Sequence, residues 1–322
     1  MRNLKTLQDA VPRGALPGAV LGTLATAALL LAPAWADQRT LHIMTVVLIY
    51  IPLALGQNLI TGNSGQISMG HAAFWGIGAY VAGLLALNTG APGLVAIFAA
   101  VMVAGAIGLV TGLPAIRISG DYLFIVTIGL NFIFLDLVIQ TQELGGGIGL
   151  AAIPPFRIGD WAATEPTGHF FLALMVALAS VAVTALITTS GFGRVVEAVR
   201  DDPVAAMASG INPTPVRVAV FTVGAALAGG AGAVLAFFLS YAGPTNFPVD
   251  QSLLVFEMVI IGGLGSVPGS IVGAILLIGI PEVLRPLQEY RLGLGGLAAV
   301  ILMMVRPQGL MGRVKVTRLG RS

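Results

Sequence analysis

The stretch S-G-Q-I-S-M-G-H-A-A-F-W-G-I-G-A-Y, Ser64 to Tyr80, sets two serines, a glutamine and a histidine among residues that are otherwise glycine or apolar. What such polar residues mean depends on their setting. Of 322 residues 57% are hydrophobic and only 9% charged, against about 25% charged in an ordinary soluble domain. Apolar runs of about 20 residues recur nearly end to end, the length an α-helix needs to cross a hydrocarbon core of about 30 Å. The chain therefore reads as an all-α polytopic membrane protein, and its polar residues as groups inside a helix bundle.

Ten apolar segments can be drawn, at 16–35, 41–60, 67–88, 91–113, 122–139, 170–188, 216–240, 252–263, 267–281 and 292–305. The eighth and ninth are short, and either span or form one re-entrant pair, so the expected number of crossings is eight to ten. With a cytoplasmic N-terminus, one side carries Arg2, Lys5, Arg13, Arg117, Arg194, Arg200, Arg217, Arg306, Arg313, Lys315, Arg318 and Arg321; the other carries Arg39, Arg157, Arg285 and Arg291. Twelve against four follows the positive-inside rule and puts both termini in the cytoplasm. The expected organisation is a cytoplasmic N-terminus (1–15), one membrane domain (16–305) with an external loop at 140–169 and a cytoplasmic loop at 189–215, and a basic cytoplasmic tail (306–322). In the first segment L-A-T-A-A-L-L-L-A-P followed by A-W-A resembles a cleavable signal. Nine further apolar segments favour an uncleaved first helix.

Several function classes lack their equipment. There is no cysteine, which excludes disulfides, thiol catalysis and cysteine metal sites. Sixteen basic against fourteen acidic residues leave no basic patch for nucleic acid. Lys5 and Lys315 are the only lysines and neither follows a glycine, so no P-loop is present. His42, His71 and His169 are far apart and no H-E-x-x-H or G-x-S-x-G occurs, so neither a zinc protease nor a serine nucleophile is expected, and no metal site.

The cytoplasmic loop is the most informative one. Asp202 before Pro203 is a capping residue followed by proline at the first helical position, and Gly210 suits a left-handed helix end. A short helix from Pro203 to Ser209 is framed, with Val204, Met207, Ala208 and Ile211 on one stripe. Such a helix docks into a partner's groove or lies on lipid headgroups. Within the spans stand Gln57, Asn58, Gln66, Ser68, His71, Asn131, Asp136 and Glu257. Intramembrane carboxylates are by default functional candidates; interfacial or helix-bridging roles are the alternative for Asp136 and Glu257, and a structural hydrogen bond for His71. T-G-N-S-G-Q, from Thr61, allows a broken helix, tolerated at membrane depth where it lines a cavity or is packed in protein. Ala104, Gly108 and Gly112, and likewise Gly224, Ala228 and Gly232, place small residues on one helical face for close packing.

The Ser64–Tyr80 stretch resembles the signature of the membrane-spanning permease subunits of branched-chain amino acid ABC importers. Further matches are I-S-G-D-Y-L-F-I-V-T-I-G from Ile118, G-R-V-V-E-A-V-R-D-D-P-V-A-A-M-A-S-G-I-N from Gly193, G-G-L-G-S-V-P-G from Gly262 and R-P-Q-G-L-M-G from Arg306, in family order over most of the chain. The resemblance implies two similar permease chains forming a pathway in the bacterial inner membrane, two cytoplasmic P-loop ATPases that hold ATP and magnesium, and a periplasmic or lipid-anchored binding protein; this chain itself binds no cofactor. It also implies a coupling contact with an ATPase through Glu197, Ala198, Asp202, Pro203, Val204, Ala205, Ala206, Met207 and Gly210. Two departures bear on cargo: Asn131-Phe132-Ile133 where an acidic residue is common, and G-G-G-I-G-L where an N-G pair is common. Leucine, isoleucine and valine are expected, with urea, short amides or another amino acid as alternatives. An ion-coupled secondary carrier is the rival of a different class.

Overall fold

In hydrocarbon every backbone N–H and C=O has to be satisfied within the protein, and these apolar runs do so as helices. The computed structural model describes residues 26–115, 121–159, 161–284, 290–306 and 308–312. The N-terminus 1–15, the first half of the first apolar segment (16–25), Arg117, Arg285 and the tail from 313 lie outside the described residues; the A-P-A-W of the signal-like run forms a short helix, Ala32–Trp35.

Among the described residues six helices are long and apolar enough to cross a membrane. They are α1 (Gln38–Gln57), continued by a π-helical segment Asn58–Asn63, then α2 (His71–Thr89), α3 (Gly93–Ala115), α4 (Asp121–Gln140), α5 (Pro166–Thr189) and, after two short helices, α8 (Pro213–Leu239). Asp37 caps α1, its Oδ1 accepting from the Thr40 N–H at 3.1 Å, and hydrogen bonds from Thr40 hold its carboxyl below the usual aspartate range. The short helices are α6 (Gly191–Asp201) and α7 (Pro203–Ala208). After α8 come α9 (Val249–Gly262), α10 (Val267–Ala274) with a π turn carrying it on to Val283, and α11 (Arg291–Val305).

The core is built around α8, which packs along α3 and α4's neighbour α2 and crosses α1. Glycine makes this possible. A Cβ at Gly232 would overlap the Trp75 carbonyl oxygen, one at Gly78 the Gly229 carbonyl, and one at Gly56 would come within 2.6 Å of the Gly224 carbonyl. The two expected small-residue stripes face different neighbours: Ala104, Gly108 and Gly112 pack on Gly229, Ala225 and Phe221 of α8, while Gly224 packs on Gly56 and Ile60 of α1 and its continuation and Gly232 on Trp75 of α2. Between helices, edge-to-face aromatic pairs fill the wider gaps, including Tyr50 with Trp75 at 5.2 Å and Trp75 with Phe247 at 5.3 Å.

Antiparallel packing of α9 and α10 brings Gly262 against Gly269 and Gly273 against Met258. Their turn lies beside Asn58, whose Oδ1 accepts from the Gly265 N–H, while Val283 lies near Arg39 at the other end of α1. The pair thus runs the length of the bundle. Leu310 and Met311 donate to the carbonyls of Ile261 and Gly262, so the R-P-Q-G-L-M-G run is fastened to that same turn. At the opposite end, loop 140–169 is pinned by β1 (Leu150–Ala151) pairing antiparallel with β4 (Tyr241–Ala242), and by the small hairpin of β2 (Arg157–Ile158) and β3 (Trp161–Ala162). Phe156 and Ile153 bury against the helices beneath.

Candidate functional site

The Thr61–Gln66 run does break a helix. α1 widens into the π segment, Ser64 N–H donates to Leu59 O and Gln66 N–H to Ile60 O, Gly65 turns at φ +72°, and an extended run leads to α2. A left-handed turn of this kind favours glycine because a Cβ clashes there. Polar side chains replace the lost helical hydrogen bonds. Gln57 Nε2 donates to Ser68 O at 2.7 Å, and Gln66 Nε2 to Ser64 Oγ at 2.7 Å and to Arg217 O at 3.2 Å. Met69 N–H donates to Thr127 Oγ1 at 2.9 Å and Ala72 N–H to Ser252 Oγ at 2.9 Å.

Gln57, Asn58, Gln66, Ser68 and His71 are therefore brought together and buried at the seam of α1, α2 and α4. Asn131 is buried farther along α4, donating to Phe247 O at 3.3 Å. Glu257 is buried apart from them, facing Gly295 and Gly296 of α11. Asp136 is exposed on α4 and takes both of its hydrogen bonds from Gln140 Nε2, at 2.9 and 3.0 Å. Several buried polar atoms of the seam make no hydrogen bond: Gln57 Oε1, both ring nitrogens of His71, Asn131 Oδ1 and Trp75 Nε1; Glu257 Oε2 is a further one. Such groups cost about 1–3 kcal/mol each and concentrate where a protein does something besides fold. The cavity of about 660 Å³ between α1 and α10 is lined by apolar side chains and includes none of these residues.

At the end of the bundle where the break lies, α7 stands out from the surface. Asp202 Oδ1 accepts from the N–H groups of Val204 at 2.9 Å and Ala205 at 3.0 Å. Gly210, at φ +82°, closes the helix, with Ile211 N–H donating to Ala206 O. Val204 is 69% exposed and Met207 54%, beside exposed Ala205 and Ala208, while Ala206 is buried. The helix ends at Ala208, one residue earlier than the sequence pattern frames it, and Ile211 leaves the stripe to pack underneath. Glu197 and Ala198 lie on α6, the first half-buried and the second exposed.

The 11-residue α6 itself is missed by the sequence reading, which leaves its residues in a loop. Its signal was there: Ser190 caps it, and Val196 and Val199 repeat at helical spacing toward Leu59, Val216 and Val220. Thr127, Ser252 and Arg200 are likewise partners that no spacing disclosed.

The described residues thus form a multi-helix bundle of membrane-crossing length with a buried polar seam and, at one end, a short helix with exposed apolar side chains. A family model described as the permease component of the branched-chain amino acid transport system matches residues 39–305, and the chain belongs to that family. The high-affinity branched-chain amino acid transport system permease protein LivM of Escherichia coli (strain K12) is 34% identical, the match covering 88% of this chain and 73% of that one. LivH of the same organism is 27% identical and BraD of Pseudomonas aeruginosa 25%, each over 88% of this chain and 97% of the relative. No solved structure matches this chain.

Proposed function

We propose that this chain is one of two similar permease subunits of an ATP-driven importer of the bacterial inner membrane, carrying leucine, isoleucine and valine along a pathway beside the α1, α2 and α4 seam. The observation that carries the reading is α7: a helix capped at both ends, with Val204 and Met207 held out where none of the described residues covers them. Leaving two large apolar side chains exposed on a rigid helix is unfavourable unless a partner buries them. That partner is a cytoplasmic P-loop ATPase holding ATP and magnesium, with a second copy on the sister permease and a periplasmic or lipid-anchored binding protein delivering cargo. Nucleotide binding closes the ATPases, moves α7, and biases the bundle between inward-open and outward-open states.

LivM-type and LivH-type relatives support the permease pair, and their names support the branched-chain cargo. Asn131 in place of an acidic residue makes urea, short amides or another amino acid the alternative within the same architecture.

The test is leucine uptake into liposomes carrying the complete importer. Met207→Asp places a charge where an apolar contact forms, and uptake is expected to fall by about an order of magnitude or more while the protein still inserts. Normal uptake by that variant would sink the coupling role of α7. Uptake that survives ATP depletion while an ion gradient is kept would move the chain to the secondary carriers.

A further inference from the structure

At the end of α6 three elements meet that are far apart in sequence. Arg200 Nη1 donates to the carbonyl oxygen of Gly62, in the π segment, at 2.7 Å. The same guanidinium is held from its other side by Asp201, whose Oδ1 accepts from Nε at 3.2 Å and from Nη2 at 3.1 Å. One turn back, Asn58 Oδ1 accepts from the Gly265 N–H of the α9–α10 turn at 2.8 Å. The glycines make the fit: a Cβ at Gly62 would run into Asn58 Oδ1 and Gly265 N, and one at Gly65 would lie 2.8 Å from Arg200 Cγ.

Otherwise α6 touches the end of α1 through apolar side chains, Val196 and Val199 against Leu59. Apolar burial is non-directional, so it holds two helices together without fixing how one slides on the other. A charge-assisted hydrogen bond is directional and fixes it. Its acceptor belongs to a π segment, a backbone form frequent at functional sites; regaining α geometry there shifts the hydrogen-bond register by one residue.

We infer that Arg200 is the positioning residue that ties the α6–α7 unit to the π end of α1, so that displacement of α7 is delivered to the Asn58–Gln66 break and the α9–α10 turn instead of being lost as sliding of α6. This rests on the importer reading above, and the readout separates the two. In liposomes carrying the complete importer, leucine imported per ATP hydrolysed is compared between wild type and variants. For Arg200→Ala this ratio is expected to fall about tenfold, the scale of one charge-assisted hydrogen bond, with the ATPase subunits still bound at wild-type stoichiometry. Arg200→Lys keeps the charge and reaches one acceptor, and is expected to recover part of the ratio, whereas Arg200→Met, which restores bulk without a donor, is expected to recover none. A ratio equal to wild type in Arg200→Ala overturns the assignment. Should that variant not assemble, Arg200→Met, which keeps most of the apolar stem and has no N–H donor, takes its place with the same expected direction and the same overturning result. A wild-type complex without ATP-driven uptake overturns the importer reading instead.

Discussion

Ser252 caps a helix to which it does not belong. The extended run before His71 delivers the chain to the start of α2 deep inside the protein, where the first N–H groups of a helix have no partner of their own. Gly70, at the N-cap, has no side chain to accept from them. Ser252 of α9 accepts from Ala72 N–H and Thr127 of α4 accepts from Met69 N–H, both fully buried or nearly so. Ser252→Ala leaves a buried donor unpaired, and is expected to cost about 1–3 kcal/mol. Thermal unfolding of the purified protein in detergent checks this, with a lower Tm than wild type as the expected result; an unchanged Tm would mean that Ala72 N–H finds another acceptor.

Among the elements, α8 shows how a bundle is built when lipid is as apolar as leucine. Close approach, with its dispersion contacts, has to supply what the hydrophobic effect supplies in water. That explains why Gly232 faces a carbonyl oxygen across to α2 and Gly229 another across to α3. Gly232→Val forces these helices apart and is expected to destabilise the bundle by about 1–3 kcal/mol or more. Gly129, on α4, has no other atom within 4 Å of the position its Cβ would take, so Gly129→Ala is the matched control with no packing cost. Size-exclusion profiles after graded heating compare the two; equal survival of both variants would contradict the close α2–α8 contact. The α6–α7 pair differs: apolar Val196, Val199 and Ala206 pack on the bundle end, while Val204 and Met207 on its outer face are exposed.

Across the whole molecule, the basic residues sort to two ends. Arg200 and Arg217 contact the helix break, and Arg306 lies just before the loop fastened to the α9–α10 turn. Arg39 and Arg157 lie at the end bearing the β pairs. If the first end is cytoplasmic, as the charge bias directs, a membrane-impermeant maleimide should label Thr164→Cys in cells with a permeabilised outer envelope and Ala198→Cys only after the inner membrane is opened. The chain has no native cysteine, so each label reports a single site. The reverse pattern would invert the orientation.

The residue order alone determined that this is a helical membrane protein, where its six long helices run to within a few residues, which positions are small enough for close packing, and where α7 begins. Each of these depends on local composition, a period of 3.6, or cap chemistry within a few residues. It also marked Gln57, Asn58, Gln66, Ser68 and His71 as misplaced polar groups. Only tertiary structure decided what they touch. That Gln66 reaches Arg217 O, that Asn58 meets Gly265, that Arg200 finds Gly62, and that Glu257 faces α11 rather than the seam all depend on contacts between residues distant in sequence. Such contacts carry no period or motif; they exist because packing sets one helix end against another, and hydrogen bonds then form between whatever polar groups that packing has buried together.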